Sequence, residues 1–401
     1  MRRLAIAMTA LATTSASAQW TGYVQLRDVQ RTRDVNCQAL DLSGCRTMVR
    51  EASTELLYDG KPAPQLQLTG RFDLIGDEAI GLVSATVREL SVEWHPSSVF
   101  SVKAGRQILT WGVSDYLYVN DIFPKDYDDF FTGGDFSRTK APVDGVRLSG
   151  RMSDTDIEVV ASRSAGDLSP RIDRFAALAG GARSADNAND QVDVAVRLTS
   201  HVGDWDIAGY VASFRTREQR LFTDGNDLVY DRPRDAHIGF SLTGNAAGGV
   251  TSLEAALRHT GTDRNDVVSR DFLPSAVKLI AGYSSEVSQD LTASTQLQLD
   301  TLLSRNRYRN TLAPGIRPVA TTLATLNVRL QRQWSNQTVA TGAQLFITSE
   351  GDFLLNPFTS WSPADGWTIQ GGANLFDGKP DTNWGAFEND SNIYMLVRYS
   401  F

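Results

Sequence analysis

Four histidines are the residues of this chain whose chemistry could be catalytic, because a hydrolase needs an imidazole beside a serine or a carboxylate. They are His95, His201, His237 and His259. The strand pattern described below puts the first two at one end of the predicted fold. It points His237 inward and His259 outward near the other end, so the four do not converge. The sequence therefore predicts no catalytic site and no enzyme.

Metal and redox chemistry have little support in the sequence. The two cysteines, Cys37 and Cys45, lie in a polar stretch without a CxxC motif or a histidine cluster. In an oxidising compartment we expect them to form one disulfide across a loop. A run of aspartates in residues 111–141 could bind calcium, but its spacing is not that of an EF-hand loop. We therefore expect neither a metal nor another cofactor.

The elements that would carry these residues are strands of alternating polarity. Segments of about ten residues with apolar side chains at every second position recur along the chain. That length crosses a bilayer as a tilted strand. The last segment, 391–401, alternates Ile393, Met395 and Val397 with mostly polar residues and ends on Phe401. Short turns and long polar segments alternate between the runs, which is typical of outer-membrane barrels.

The number of these segments predicts the fold class. We expect an all-β protein, a transmembrane antiparallel β-barrel of about 18 strands, or of 16 if one hairpin is misread. The weakest strands are 156–164 and 354–362. The even number puts both termini on the periplasmic side. Strict alternation points Arg106 at lipid, unless a bulge at Gly105 turns it inward or it lies above the bilayer.

The beginning of the chain indicates export. A basic start and an apolar stretch precede Ala16-Ser17-Ala18, a cleavage site of small residues. We therefore predict a signal peptide in residues 1–18 and a single barrel domain in residues 19–401. No later stretch approaches 18 apolar residues, so we expect no transmembrane helix. The formal net charge of −8 and the lack of a basic stripe argue against nucleic-acid binding.

Charged residues on the polar faces of the strands are predicted to line a water-filled lumen, since a charge facing lipid at the midplane costs about 2–4 kcal/mol. An 18-strand barrel is too wide for side chains to fill. Acids gather on the second and fourth strands and bases on the fifth and sixth, where they either set a transverse field or solvate one another. The predicted pore-lining residues are Glu51, Glu55, Arg71, Glu89, Glu93, Lys103, Arg147, Arg151, Arg197, Arg258 and Arg329.

The longest predicted loop, residues 111–141, carries many aromatic residues among its charges, more than a floppy surface loop needs. We expect it either to fold into the barrel and narrow it or to pack as a lid over the outer rim. The candidate constriction residues are Asp115, Asp121, Asp126, Asp128, Asp129 and Asp135.

This loop and the closing hairpins resemble a known family. GRQILTWG followed by NDIFPKD, and the closing stretches NPFTSWSPADGWTIQGGANLFDG and NWGAFENDSNIYMLVRYSF, resemble proteobacterial outer-membrane porin-like barrels related to porins and alginate-export-type barrels. The resemblance implies an outer-membrane channel whose last strand, with Tyr399 and Phe401, is read by the barrel assembly machinery. An alginate exporter would have an arginine-rich lumen, whereas this lumen has mixed charge.

These patterns together predict a porin in the cell outer membrane, surrounded by its lipid, for passive diffusion of small hydrophilic solutes. One alternative is a scaffold barrel or export channel for a partner protein or polymer, which would need a wide lumen and a poorly packed third loop. An outer-membrane hydrolase is the less favoured alternative. Homo-oligomerisation is left open, because every strand is apolar on its outer face.

Overall fold

The computed structural model describes residues 18–33, 46–165, 183–184, 191–217, 220–224, 227–260, 275–303, 305–312, 315 and 317–401. Eighteen antiparallel strands of this part of the chain pair in sequence order, and the last pairs with the first, which closes a barrel. The strands are β1 Gln19–Arg31, β2 Thr47–Ala63, β3 Leu66–Asp77, β4 Leu82–Ser97, β5 Phe100–Ile108, β6 Pro142–Met152, β7 Thr155–Arg163, β8 Arg183–Ser184, β9 Val192–Val202, β10 Trp205–Arg215, β11 Arg220–Asp224, β12 Asp227–Asp231, β13 Arg234–Ala246, β14 Gly249–Thr260, β15 Ser275–Ser288, β16 Leu291–Leu302, β17 Thr322–Trp334, β18 Val339–Thr348, β19 Phe353–Trp361, β20 Trp367–Asp377 and β21 Asn392–Ser400.

The predicted fold class and the count of 18 strands are confirmed. Both weak segments are full strands, β7 and β19, each paired on two sides. The three short strands β8, β11 and β12 are not part of the barrel sheet and form a small sheet of their own. The predicted signal peptide falls almost wholly on residues 1–17 and the cysteines on residues 34–45, which are outside the described residues.

The apolar side chains of the barrel strands cover its outer wall. Leu26, Ile238 and Met395 are 62, 59 and 55% exposed, whereas Gln25 and Arg27, which alternate with Leu26 on β1, are 7 and 4% exposed. Because successive side chains of a strand point to opposite faces, the polar set faces the interior. The outer wall is therefore the apolar surface of a membrane-spanning barrel, and the interior is polar.

Aromatic side chains gather on the outer wall at the end of the barrel that carries the short turns. The indole of Trp20 lies 4.9 Å from the ring of Tyr58, and that of Trp367 lies 5.1 Å from the ring of Tyr399. Such girdles occupy the membrane–water interface. Further members of the girdle are Trp94, Phe100, Trp334, Trp361 and Phe401.

One β-bulge changes which side chains reach the interior. The register of β3 and β4 shifts so that Arg71 pairs with Glu89 while Phe72 pairs with Val87, which leaves Arg88 as the extra residue. Both Arg88 and Glu89 are consequently buried inside the barrel.

No such shift occurs at Gly105, although its φ is +122°. Arg106 pairs with Leu90, whose side chain is 57% exposed on the outer wall. Arg106 therefore also faces outward, near the outer end of β5, where it lies 3.5 Å from Asp144. The proposed inward-turning bulge at Gly105 was wrong.

The helices of the described residues are short. They are the α-helices Asp128–Phe131 and Arg305–Thr311 and the 3-10 helices Phe136–Thr139 and Gly385–Asp390. None of them is long and apolar enough to cross a membrane.

Candidate functional site

The segment 109–141, here named the inner loop, leaves β5 and runs through the interior of the barrel before it enters β6. It packs against inward-facing residues of several strands. Trp111 and Phe123 form a buried apolar cluster with Val160, Ala195 and Tyr210 of β7, β9 and β10. The inner loop therefore enters the lumen, which was the first of the two predicted alternatives, and does not pack as a lid over the outer rim.

A carboxylate of β14 holds the first half of the inner loop. Oε1 of Glu254 accepts the backbone N–H groups of Val113 and Ser114, both at 2.8 Å, and Oε2 accepts that of Asn120 at 2.9 Å. Glu254 is 3% exposed. Three backbone N–H groups on one buried carboxylate make charge-assisted hydrogen bonds that attach the inner loop to β14.

The side chain of Asn120 attaches the inner loop to the neighbouring strand β13 as well. Its amide nitrogen donates to the carbonyl of Phe240 at 2.9 Å, and its Oδ1 lies 3.1 Å from Nε2 of His237. A Cβ on Gly239 would collide with this amide. Glycine at position 239 therefore lets the inner loop lie directly against the barrel wall.

The second half of the inner loop is held on the opposite side by an ion-pair network. Arg138 contacts Asp73 at 2.6 Å and both Glu55 and Asp129 at 2.9 Å. The other oxygen of Asp129 lies 2.5 Å from Arg27. These carboxylates converge on arginines of the loop and of β1, so the loop is fastened to β1, β2 and β3.

An aromatic cluster completes the fastening of the inner loop. The ring of Phe131 lies 4.7 Å from that of Phe387 and 5.7 Å from that of Phe376, and Phe130 packs edge-on against Phe346. Asn374 also donates its amide to the carbonyl of Phe131 at 3.1 Å. The helix Asp128–Phe131 is thereby packed against β18, β20 and the loop before β21.

The six candidate constriction acids are mostly engaged within the structure. Asp121 pairs with Lys125 at 3.0 Å, and Asp135 pairs with Arg398 at 2.9 Å. Burial would raise the pKa of Asp129, but the guanidiniums of Arg27 and Arg138 hold that pKa below its ordinary value.

The remaining acids differ in their environment. Burial raises the pKa of Asp126 to about 6, against a hydrogen bond from the backbone N–H of Asp128. Asp128 and Asp129 add to this increase. Asp115 is exposed in the lumen next to Tyr116.

The structure places all the predicted pore-lining residues on the inward faces of their strands, where several form ion pairs with one another. Arg71 lies 3.6 Å from Glu89, and Arg147 lies 3.4 Å from Glu93. The predicted acid and base groups are therefore neighbours along the wall, since Glu93, Lys103 and Arg147 pair in register on β4, β5 and β6. The remaining contacts are Glu51 with Arg27, Arg197 with Glu158, Arg151 with Asp156 and Arg258 with Asp235.

Arg329 of β17 faces a cavity of about 360 Å³ between the inner loop and β17–β21. Its guanidinium lies 4.8 Å from the ring centroid of Phe358 and 5.7 Å from that of Tyr116 on the loop. It donates to the side-chain amide of Gln331 at 2.7 Å. The rest of the wall is mixed: apolar side chains such as Phe346 and Leu354 lie beside the polar side chains of Gln344, Asn356, Ser360, Thr368 and Gln370.

The four histidines do not assemble a catalytic group. His201 contacts Asp206 at 2.8 Å, and both side chains are exposed at the short-turn end. His259 contacts Ser275 on the outer wall through Nδ1 at 2.9 Å, whereas a serine hydrolase uses Nε2 for the serine. Within the described parts of the chain, no group of three or more His, Cys, Asp or Glu residues is arranged to hold a metal ion.

Two residues that hold the inner loop were missed in the sequence. Arg88 donates to the carbonyls of Arg138 and Lys140 at 3.1 and 2.7 Å. Arg217, just beyond β10, donates to the carbonyl of Ile122 at 2.7 Å. Consecutive charges at 88 and 89 within an alternating strand were a usable signal, because without a bulge one of them would face lipid.

Comparison with known proteins supports this architecture at the level of fold. The chain matches no protein-family model and no curated protein sequence. Among solved structures it is similar to OccK2 of Pseudomonas aeruginosa in complex with glucuronate, with a TM-score of 0.59 and 10% identity over 96% of this chain and 98% of that one. The chain is also similar to OccAB4 of Acinetobacter baumannii, with a TM-score of 0.57 and 10% identity over 97% of this chain and 99% of that one.

The chain has the fold of outer-membrane porin-like barrels. A third structure, OccK11 of Pseudomonas aeruginosa, gives a TM-score of 0.56 with 8% identity over 96% of both chains. At such low identity the likeness extends to the barrel and not to individual residues, so the site must be interpreted from this chain's own contacts.

Proposed function

We propose that this protein is an outer-membrane channel through which small hydrophilic solutes diffuse passively. The observation that carries the proposal is the inner loop, which crosses a polar lumen and is fastened on one side by Glu254 and on the other by Arg138. A loop held in this way narrows an 18-strand barrel to a defined aperture. Solute size and charge are then selected at this level without any chemical step.

The proposed solute path includes the cavity beside Arg329. This guanidinium lies between two aromatic rings and faces polar amides and hydroxyls, and the ion pair of Arg398 with Asp135 also lines the cavity. A hydrated solute therefore meets donors, acceptors, this ion pair and the additional cation Arg329. We propose that the path favours anions over cations of equal size. We propose that Lys103, Arg147 and Arg197 on the wall and Asp115 on the inner loop also contact solutes along this path.

The channel proposal is tested with purified protein in a planar lipid bilayer. Stepwise, ohmic currents are expected, together with swelling of liposomes in small sugars but not in large oligosaccharides. The fold of each preparation is checked by its change of gel mobility on heating. A folded barrel that passes no current would contradict the proposal.

The packing of the inner loop argues against the scaffold and polymer-export alternatives. Those functions need a wide lumen, whereas Trp111, Phe123 and Phe131 are each no more than 7% exposed within the barrel. The contacts of the four histidines argue against a hydrolase, because none joins a serine through Nε2. We therefore propose no enzymatic activity.

The remaining parts of the proposal concern biogenesis. We propose that residues 1–18 are removed after export, that Cys37 and Cys45 form a disulfide, and that 19–401 is one domain. The last strand presents Tyr399 and Phe401 outward at the short-turn end. This placement supports their reading by the barrel assembly machinery.

A further inference from the structure

The cavity between the inner loop and β17–β21 contains three neighbouring polar side chains that the protein itself does not engage. Ser360 of β19 and Gln370 of β20 are directly opposite in the register, and Thr368 is two residues before Gln370 on the same face of its strand. Within the described ranges of the chain, these three side chains make no hydrogen bond, and all three are partly exposed to the cavity. We name Ser360, Thr368 and Gln370 the polar patch.

Small residues of the wall keep the space beside the polar patch open. A Cβ on Gly342 would collide with the ring of Phe358, and one on Gly372 would collide with the hydroxyl of Tyr394. Glycine at these two positions therefore lets both rings lie against the wall instead of projecting into the cavity. Ala340, which also has a small side chain, is next to the polar patch in the register.

The inner loop contributes an aromatic ring to the same cavity. Phe136 lines it, and its ring is held by the rings of Tyr116 at 5.0 Å and of Phe130 at 6.0 Å. The face of an aromatic ring is negative, so it attracts C–H groups whose carbon carries an oxygen. A solute with hydroxyls at its edge and C–H groups on its face therefore meets a suitable surface for each in this cavity.

The hydrogen-bonding character of the polar patch favours a neutral solute over an anion. The nearby charge of Arg398 is already engaged, by Asp135 at 2.9 Å and by the side-chain carbonyl of Gln25 at 2.7 Å. An anion has only acceptors, so it would leave the oxygen lone pairs of the polar patch unmatched. Sugar hydroxyls both donate and accept, as the two hydroxyls and the amide of the patch do, and they can also accept from Arg329.

The size of the cavity indicates the size of the solute. Its volume of about 360 Å³ equals that of about a dozen water molecules and so suits a hexose, which has about a dozen non-hydrogen atoms. We propose that the cavity binds a neutral hexose, with its hydroxyls on the polar patch and its C–H face on Phe136. The inference rests on the proposed solute path and names a solute class for it.

Isothermal titration calorimetry of the folded barrel in detergent tests the proposal, with glucose, galactose and mannose as the probes. At least one of them is expected to bind with a dissociation constant of about 1–10 mM, which is in the range for a solute of this size. Gln370→Met keeps the length of the side chain but removes its donor and its acceptor. It should weaken binding about fivefold for each lost hydrogen bond, and Ser360→Ala should weaken it by a similar factor.

The control variant and a competing anion separate this site from unspecific effects. Gln67→Met is the matched control, because Gln67 is also an inward glutamine, on β3, but does not line the cavity. Acetate, whose oxygens only accept, should not displace the hexose. The proposal is overturned if none of the three hexoses binds at about 100 mM, if Gln370→Met and Gln67→Met lose binding equally, or if acetate displaces the sugar.

The calorimetric readout needs no current, so this inference and the channel proposal can fail separately. A barrel that conducts ions but binds no hexose would refute this inference alone. A silent barrel that binds a hexose through Gln370 would support it and contradict the channel proposal.

Discussion

The attachment of the inner loop to Glu254 gives a sharp prediction. Glu254→Ala removes the acceptor of three backbone N–H groups, those of Val113, Ser114 and Asn120. Hydrogen bonds to a charged group contribute roughly 1.5–3 kcal/mol each, or about 4.5–9 kcal/mol for three. The freed N–H groups can bond water in the lumen. We therefore expect the free energy that holds this half of the loop against β14 to fall by about 4 kcal/mol, a roughly thousandfold change in the equilibrium for its local release.

Two assays detect this release of the first half of the inner loop. Single-channel recordings of Glu254→Ala should show greater open-channel noise and more frequent closures than the parent. Protease should cleave the segment 112–121 faster, while 127–140 stays protected by Arg138. The control is Glu286→Ala, which removes the same charge from β15 but touches only the N–H of Asp290 in its own turn. If noise and cleavage match the parent, Glu254 does not hold the inner loop.

Three further predictions concern the inner loop and the cavity. Arg138→Met leaves Glu55, Asp73 and Asp129 without a shared cation and should lower the temperature at which the barrel loses its fast gel mobility; an unchanged temperature would mean that the network adds no stability. Because burial raises the pKa of Asp126 from an ordinary value near 3.8 to about 6, its contribution to stability is greatest below about pH 4 and falls as the pH rises through 6. The parent channel should therefore be noisier at about pH 7.5 than at about pH 5, and Asp126→Asn should lack that difference. The charged residues that face position 126, Asp128, Asp129 and Arg88, are the same in both proteins, so a difference between them reports on Asp126. Arg329→Gln should move the reversal potential in a KCl gradient towards that of a cation-preferring pore. The control is Arg332→Gln, because the side chain of Arg332 faces outward beside Trp334 and its removal should not move the potential. Equal shifts in the two variants would mean that Arg329 does not set the selectivity.

The fold was predictable because lipid and water impose opposite demands on the two faces of each strand. Ile393, Met395 and Val397 could only face lipid, and that alternation, repeated eighteen times, defines the barrel. The bulge at Arg88 breaks the alternation locally. Strict alternation of side chains along β4 would have pointed either Arg88 or Glu89 at lipid.

The path of the inner loop could not be predicted in the same way. The alternation of side chains along β14 places Glu254 in the lumen. It does not predict that Glu254 accepts a hydrogen bond from the N–H of Val113, 141 positions away in the chain. Any polar residue of the lumen could in principle have accepted those N–H groups. The aromatic content of the loop did predict that it packs against something, because Trp111, Phe123 and Phe131 could not remain in water at low free energy.

The exposures of the inward charges indicate where water remains in the lumen. Arg27, Glu51 and Asp73 are only 4–6% exposed, because the inner loop and Arg138 cover them and make that side of the lumen a packed interior. By contrast, the side chains of Arg147 and Arg197 keep 24 and 30% of their surface exposed on the wall formed by β6 and β9. An ion pair that stays hydrated contributes little to stability, so these residues are free to interact with solutes. The covered charges therefore hold the loop, whereas the partly exposed charges of the wall remain in contact with water.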